Sequence, residues 1–410
     1  MIKRIKEICD YVSRGATPDY IDEGENKVMN QATFSKGWLD ESNIRYTAKT
    51  SKGAQIKKGD LLMASTGGGV LGKVFYFDNE DENFYADSHV TIMRNSKGAN
   101  LMKYLYYHFY LRYDEINATM VKGSTNQTEL QRNYLLSYEF DIPTLAEQRR
   151  MVDYLDTKLS EIDRQVSLLT RKRDAYLRLK KSIINHAVTK GLDKNAKMKD
   201  SGIEWIGQVP EQWEVKRLKE ISSMGSGTTP KSGDSKYYEN GIHPWLNTSD
   251  VQDNVIYEAK FFITDKAMAD YSVLKYYPKD TLLLAMYGGG TIGNVALMNI
   301  SATINQACCA LVPKKSLVCP KYIFYYLESK KKKIISLGFG GTQVNLSQGI
   351  IAQLPVSLPP LPEQRSIATY LDDKCGKIDT IVANLNKQIS RYGDLKRSLI
   401  DEVITGKRAV

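Results

Sequence analysis

Two triple-glycine segments are the first places where backbone chemistry could occur. Gly67-Gly68-Gly69 follows Leu61-Leu62-Met63-Ala64 after two residues, and Gly288-Gly289-Gly290 follows Leu282-Leu283-Leu284-Ala285 with the same gap. Backbone amides of such loops can cradle phosphates, but a P-loop needs Gly-x4-Gly-Lys-Ser/Thr, so that a lysine and a hydroxyl converge on the ligand. Neither Gly67–Gly72 nor Gly288–Gly293 leads into that pair. A dinucleotide fingerprint would run straight into a helix, and here β-branched and aromatic residues follow. Sharp strand-to-strand turns are expected instead, with room for a DNA backbone to come close.

Other constellations lead nowhere catalytic. Pro18-Asp19 and Glu25-Asn26-Lys27 spell the nuclease pattern Pro-Asp…Glu-x-Lys. That chemistry needs strand positions that bring two carboxylates onto one magnesium, and Tyr20 to Gly24 is too short a spacer. His89, His108, His186 and His243 have no Glu-x-x-His or His-x-Glu partner, and His108 sits on an aromatic helix face as a packed histidine. No methyltransferase Asn/Asp-Pro-Pro-aromatic tetrapeptide and no Gly-x-Ser-x-Gly occurs. Cys9, Cys308, Cys309, Cys319 and Cys375 form no Cys-x-x-Cys and read as reduced, mostly buried thiols, with the adjacent Cys308 and Cys309 on opposite faces of a strand. No catalytic residue, metal site or cofactor is expected of the chain itself, so the reading is a binding protein rather than an enzyme.

The elements that would position a binding surface come from a long-period repeat. Residues 145–189 aligned without gaps on 361–405 share 18 identities in 45 positions at an offset of 216. Lys3-Arg4-Ile5-Lys6-Glu7-Ile8 returns as Lys216-Arg217-Leu218-Lys219-Glu220-Ile221, and Gly15-Ala16-Thr17-Pro18 as Gly227-Thr228-Thr229-Pro230. Both copies end in a 4-3 alternation. The first runs Leu155, Leu159, Ile162, Val166, Leu169, Arg173, Tyr176, Lys180, Ile183, Ala187, and the second Leu371, Cys375, Ile378, Val382, Leu385, Ile389, Tyr392, Lys396, Leu399, Val403. Such a stripe is a coiled-coil seam, and about 45 residues make a helix of roughly 65–70 Å. A narrow stripe needs a partner, and the two helices of one chain can supply each other; Arg173, Lys180 and Lys396 interrupt it, either to fix register or to snorkel outwards.

The expected fold class is α/β (α+β): two globular mixed α/β domains and two long helices forming an intramolecular antiparallel coiled coil, related by a pseudo-twofold internal repeat. The division reads as domain one over 1–144, helical spacer one over 145–192, a linker with domain two over 193–360, and spacer two over 361–410. The polar run Asp193 to Gly202 reads as the linker itself.

At 410 residues, 42% hydrophobic and 25% charged, the chain is ordinary globular protein of two to four domains. No window reaches the roughly 18 apolar residues of a membrane span, and Met1 to Glu7 lacks a signal-peptide core, so a cytoplasmic protein is expected. The net charge of +10 is uneven: residues 145–199 carry 14 Lys+Arg against 7 Asp+Glu, whereas residues 1–144 carry 18 against 19. That neither requires nor excludes nucleic acid. Many of the 26 tyrosines, such as Tyr237-Tyr238 and Tyr276-Tyr277, sit beside polar residues in apparent loops; the majority of the tyrosines read as packing, and a minority near Lys, Asn and Ser as a surface for bases and phosphates. Lys330-Lys331-Lys332-Lys333 reads either as a phosphate-contacting helix end or as a solvated tail.

This layout resembles the specificity subunit of type I restriction-modification systems. The resemblance rests on Leu145-Ala146-Glu147-Gln148-Arg149 and Leu358-Pro359-Pro360-Leu361-Pro362-Glu363-Gln364-Arg365, on the tail Ser398-Leu399-Ile400…Gly406-Lys407, on the lead-in Glu204-Trp205-Ile206-Gly207-Gln208-Val209-Pro210, and on Gly340-Gly341-Thr342-Gln343-Val344-Asn345-Leu346. Copy one departs from the pattern in having Ala146 where the family favours proline, and in lacking the lead-in before Lys3. The resemblance implies a DNA-binding subunit in which each domain reads one half of a bipartite, gapped target, while the helices set the gap and dock two methyltransferase subunits. It implies double-stranded DNA, methyltransferase and restriction subunits as partners and no membrane, with S-adenosylmethionine, ATP and Mg used by the partners only. Base-reading candidates are Asn30, Gln31, Asn247, Thr248, Ser249 and Asp250; backbone candidates are Ser65, Thr66, Lys73, Lys231, Tyr287 and Thr291. Partner-binding candidates are Glu147, Gln148, Arg149, Glu363, Gln364 and Arg365, whose bland reading is helix capping and first-turn charge. A structural adaptor pairing two lectin-like or peptide-binding domains, and a stand-alone enzyme, are the alternatives.

Overall fold

The computed structural model describes residues 1–96, 98–122, 128–340 and 344–410. The chain divides into two compact units, residues 1–170 with 387–410, and residues 171–386. That division differs from the linear one expected from sequence, because each unit takes one stretch of both long helices, Leu145–Lys190 and Leu361–Ile404. The second helix stops before the tail, where Lys407 and Arg408 fold back onto Asp401 and Glu402.

Each unit is built on the same plan. In the first, a four-stranded sheet has the order Tyr11–Arg14, Val90–Arg94, Leu61–Ala64, Val74–Tyr76, all antiparallel. The second repeats it as Ser222–Gly225, Cys308–Pro313, Leu282–Ala285, Val295–Met298, and adds Asn254–Ile256 in parallel on the last strand. A smaller sheet also recurs: Lys27–Met29 pairs antiparallel with Arg45–Thr47 and parallel with Phe84–Ala86, as His243–Leu246 does with Phe261–Ile263 and Thr303–Ile304. The recurring glycine before Pro18 and Pro230 has a steric cause. A Cβ on Gly15 would overlap the Ala86 carbonyl, and one on Gly227 would overlap that of Ile304.

The central strands are apolar on both faces because each sheet is covered twice. Cys308 and Cys309 point into different cores, with Cys308 beside Leu283 and Ala296 and Cys309 beside Leu282, Leu311 and Tyr322. Burial pushes the Cys9 and Cys309 thiols up to about 12. The core of the first unit joins Ile5, Leu61, Met93 and Phe109 to Leu155, Leu159 and Ile162 of the first long helix and to Leu399, Ile400 and Val403 of the second. The core of the second joins Trp213, Leu282, Tyr322 and Val356 to Ile184, Ala187 and Val188, and to Ile367, Leu371 and Cys375. The polar run after the first helix is not a free linker, since Met198–Asp200 pairs antiparallel with Gln208–Pro210. That hairpin delivers Ile206, Val209 and Trp213 to the core, where apolar burial outweighs the flexibility its polar residues suggest.

Two of the charges that interrupt the seam fix register. Lys180 bonds Asp379 at 2.7 Å inside the second unit, and Lys396 bonds Asp163 at 2.9 Å inside the first. Both lysines and both aspartates are related by the 216-residue offset, so one pairing rule is written twice. Arg173 bonds its neighbour Asp174 and takes no part. The four-lysine run divides between the interior and solvent, which corrects both readings of it. Lys330 is buried and reaches Asn185 and Thr189, Lys331 reaches Asp253 and Asn294, and Lys332 and Lys333 alone are exposed.

Beside them on the helix Pro320–Ser336, burial raises the Glu328 carboxyl to about 7, with Asp253 and Asp379 adding to the shift and Lys180 and Lys331 opposing it. The folded chain therefore holds a proton that the unfolded chain releases near 4.5. This group's stabilising contribution is complete below about pH 4.5 and disappears as pH climbs to about 7. Glu328→Gln should melt higher than the native chain at pH 7.5, by roughly 1–3 kcal/mol of stability, and by much less at pH 5. Melting curves at the two pH values check this, and equal shifts at both would refute it.

Candidate nucleic-acid interface

The glycine segments join antiparallel strands in both units, as expected. Gly67, Gly69 and Gly72 have φ of +99°, +81° and +84°, and Gly288, Gly290 and Gly293 have +118°, +87° and +73°. These left-handed conformations are accessible to glycine at little cost. A side chain on Gly72 would also meet Ile116 at 2.9 Å, and one on Gly293 would meet Ile335 at 2.7 Å. The turns are thus pressed against helices from behind while their tips, Gly68-Gly69 and Gly289-Gly290, are exposed.

In the first unit this turn gathers four of the candidates. Asn30 caps the short helix Gln31–Phe34, its Oδ1 accepting from the amides of Ala32 and Thr33. The cap sets Gln31 against the turn, with Nε2 3.3 Å from the position of a Gly67 Cβ, and leaves Oε1 buried without a partner. The Thr66 hydroxyl lies 2.6 Å from His89 Nδ1, and Lys73 donates to the Ser35 carbonyl at 2.9 Å. Ser65 is placed differently: it is fully buried with its hydroxyl on Thr91, so it supports the turn from below.

The second unit repeats the arrangement with other side chains. Thr248 replaces Gln31, its Oγ1 3.8 Å from the position of a Gly288 Cβ, and Thr291 lies across the same turn. Asn247 and Asp250 fold the loop on itself, Asn247 Oδ1 accepting from the Ser249 amide and Asp250 Oδ2 from the Asn247 amide. Asp250 is buried in doing so, while Ser249 is exposed and Tyr287 half-buried at the turn's edge. Lys231 is not brought to this group; its backbone amide bonds the Tyr271 hydroxyl on the side lobe, and its side chain is exposed. Ser65 and Met286 each donate a backbone amide to one strand-leading residue, His89 in one unit and Ala307 in the other. His89 therefore joins this group, which sequence reading missed, since only the strand pairing brings it to Thr66. Of the segment Gly340 to Leu346, residues 341–343 lie outside the described residues, and the Leu346 amide bonds the Met286 carbonyl beside the turn.

The Glu-Gln-Arg motifs divide between inside and outside. Glu147 makes a capping box with Thr144, and Glu363 accepts from the indole of the buried Trp213 at 3.1 Å. Gln364 is fully buried: Oε1 accepts from the Cys319 amide, and Nε2 donates to the carbonyls of Leu317 and Pro359. Gln148 donates to the Pro143 carbonyl in the equivalent place. Arg149 and Arg365 are exposed, and Arg365 lines a cleft of about 360 Å³ with Tyr257, Lys315 and Lys321.

The remaining chemical trails are occupied by structure. Lys27 of the nuclease-like pattern pairs with Asp81 at 2.6 Å. His108 is packed among Tyr138, Phe109 and Phe140, and burial pushes it down to about 3, so it stays neutral. Tyr237 and Tyr277 are core residues, and Tyr276 is exposed on His243.

Residues 1–172 and 210–391 match the family described as type I restriction modification DNA specificity domain. The chain is 22% identical to the type I restriction enzyme MjaVIII specificity subunit of Methanocaldococcus jannaschii, over 99% of this chain and 92% of that protein. It is 24% identical to the EcoR124I/EcoR124II specificity subunit of Escherichia coli, over 62% of this chain and 57% of that one. A solved chain, from work on complex assembly and conformational transition of the type I R-M system, superposes with a TM-score of 0.72 at 15% identity, covering 98% of this chain and 97% of that one.

Removing Gln364 would leave an amide and two carbonyls without partners, whereas removing Gln148 frees one carbonyl. Gln364→Ala should cost about 2–4 kcal/mol and Gln148→Ala about half of that. Melting midpoints of the two variants check the order, and a larger loss for Gln148→Ala would reverse the assignment.

Proposed function

The chain belongs to the type I restriction modification DNA specificity family, and from that premise we propose that its two units read the two halves of an interrupted DNA sequence. One observation carries the reading: the same glycine turn on the same strand order is fringed by different side chains in the two units. Gln31, Thr66 and His89 stand in one unit where Thr248, Tyr287 and Ala307 stand in the other. Amides, hydroxyls and an imidazole are the groups that distinguish base edges in a groove, while the scaffold behind them fixes their position. A repeated scaffold with unlike edges suits an asymmetric bipartite target, as a symmetric dimer suits a palindrome.

In this reading Asn30, Gln31, Thr66, Asn247, Thr248, Ser249, Tyr287 and Thr291 face DNA, Lys73 and Lys231 meet phosphates, and Ser65 and Asp250 hold the loops. The long helices set the unread spacing and carry two methyltransferase subunits. The exposed Arg149 and Arg365 contribute to that dock, because the Glu and Gln of each motif already have hydrogen-bond partners within the chain. The chain performs no chemistry: methyl transfer from S-adenosylmethionine and ATP-dependent cleavage take place in partner subunits, with the target base turned into a pocket of the partner.

Co-expression with the cognate methyltransferase, followed by single-molecule mapping of modified bases, tests this. One gapped motif should appear and should vanish when this chain is omitted; methylation that persists without the chain would end the specificity reading. Arg149→Ala combined with Arg365→Ala should reduce co-purification of the methyltransferase several-fold without lowering the melting temperature. Undiminished co-purification would remove the arginines from the dock.

A further inference from the structure

Trp38 has no role in the fold that explains its position. It is 59% exposed, while Trp213 and Trp245 are buried and Trp205 is half-buried. Among the described residues no hydrogen bond holds its indole N–H. The loop that presents it is nevertheless rigid. Gly37 donates its amide to Phe34 O and Asp40 its amide to Thr33 O, at 2.9 and 2.7 Å. Lys36 and Asp40 bridge across Trp38 at 2.7 Å, and Ser42 and Asn43 bond the same carboxylate. Those contacts, Lys36 first, hold the Asp40 carboxyl down at about 2, so the bridge persists through the neutral range. Leaving a tryptophan in water forgoes the free energy of burying it, and an unbraced loop could have folded it inward. This loop prevents that.

The loop starts beside the glycine turn. The short helix Gln31–Phe34 touches the glycine turn at both ends, through Gln31 beside Gly67 and through Lys73 on the Ser35 carbonyl. Trp38 follows three residues after Ser35, whose carbonyl Lys73 holds. An exposed aromatic ring carried on the loop next to a group of hydrogen-bonding edges suits nucleic acid, where an aromatic group can wedge into a base step or stack on a base. Among the described residues the second unit shows no counterpart there. In its corresponding connection the strongly exposed ring is Tyr257, which follows Ile256, and Ile256 pairs with Met298 at the strand end remote from the turn before Val295.

We propose that Trp38 is a base-step wedge belonging to the first recognition unit alone, resting on the reading that this unit binds DNA. The indole packs into a step of the first half-site and partly unstacks it, so its contribution depends on how easily that step opens. The second half-site is read without such a wedge.

The test uses the assembled complex with its methyltransferase and a duplex carrying the mapped motif. The emission difference between native and Trp38→Phe complexes isolates this indole; it should be quenched, and protected from iodide, when the target is added. Trp38→Ala should bind the target on the order of tenfold more weakly, with Trp38→Phe recovering most of the loss. 2-Aminopurine in the first half-site should brighten with the native complex and not with Trp38→Ala, and in the second half-site should respond alike to both. Unchanged emission at saturating target, or unchanged affinity of Trp38→Ala, overturns the wedge while leaving DNA reading intact. Loss of the methyltransferase from Trp38→Ala would make the indole a protein contact and also overturn it. A native complex with no preferred sequence would remove the premise and the proposal together.

Discussion

A helix of more than forty residues with one narrow apolar stripe cannot remain exposed to water, and this chain covers two such stripes with its own segments. The requirement determines much else. Each unit must include part of both helices, so the compact units cross the linear order of the sequence. Hydrophobic contact alone would let two such stripes slide, since leucines and isoleucines a heptad apart are nearly equivalent. Lys180 with Asp379 and Lys396 with Asp163 select one register. Their side chains are similarly exposed in the two places, 23% and 55% against 27% and 58%. Exposed pairs of this kind contribute at most about 1 kcal/mol each. Their value is in penalising shifted pairings, where each lysine would lie on the seam without a carboxylate.

The junctions between the sheets and the helices use the opposite strategy. Gln364, itself fully buried, bonds one amide and two carbonyls where a loop, a strand end and a helix start meet. A glutamine can both donate and accept there without carrying a charge into the core. The Glu and Gln that make the motif conspicuous in sequence are therefore structural, and the arginine beside them is the exposed member. Motif recurrence and function are separable here: the same three letters hold the fold at two positions and present a charge at the third.

Much of the architecture was legible because it depends on periodicity and repetition. The 4-3 stripe, the 216-residue offset and the paired glycines each imply one backbone outcome, and strands such as Cys308–Pro313 carry enough β-branched and apolar residues to be recognised. Readings failed where tertiary packing overrode composition. Asp193 to Gly202 looks like a linker because its residues are polar, yet it starts a hairpin whose buried members, Val209 and Trp213, come later. Lys330 looks solvated, yet its neighbours on the helix face carry it inside. The site was legible only in part. Asn30, Gln31, Asn247 and Thr248 are visible as polar residues just after the strands Lys27–Met29 and His243–Leu246, but His89 reaches the turn through a strand pairing and Trp38 is presented by a loop, neither of which leaves a periodic trace.

The asymmetry between the units follows from the same division of labour. Positions that hold the scaffold are under the same physical demand in both copies: a glycine must pass a carbonyl, a turn must reverse, and a helix must start on a satisfied cap. Side chains at the rim meet no such demand and are free to differ, and the two rims do differ in size, polarity and hydrogen-bonding pattern. A second copy of the turn with the same rim would suit a repeated half-site. Glutamine, histidine and an exposed tryptophan on one side, with threonines and a tyrosine on the other, suit two unlike ones. The scaffold can tolerate that divergence because the turn tips make few contacts with the core, so changing what is read does not require changing what is folded.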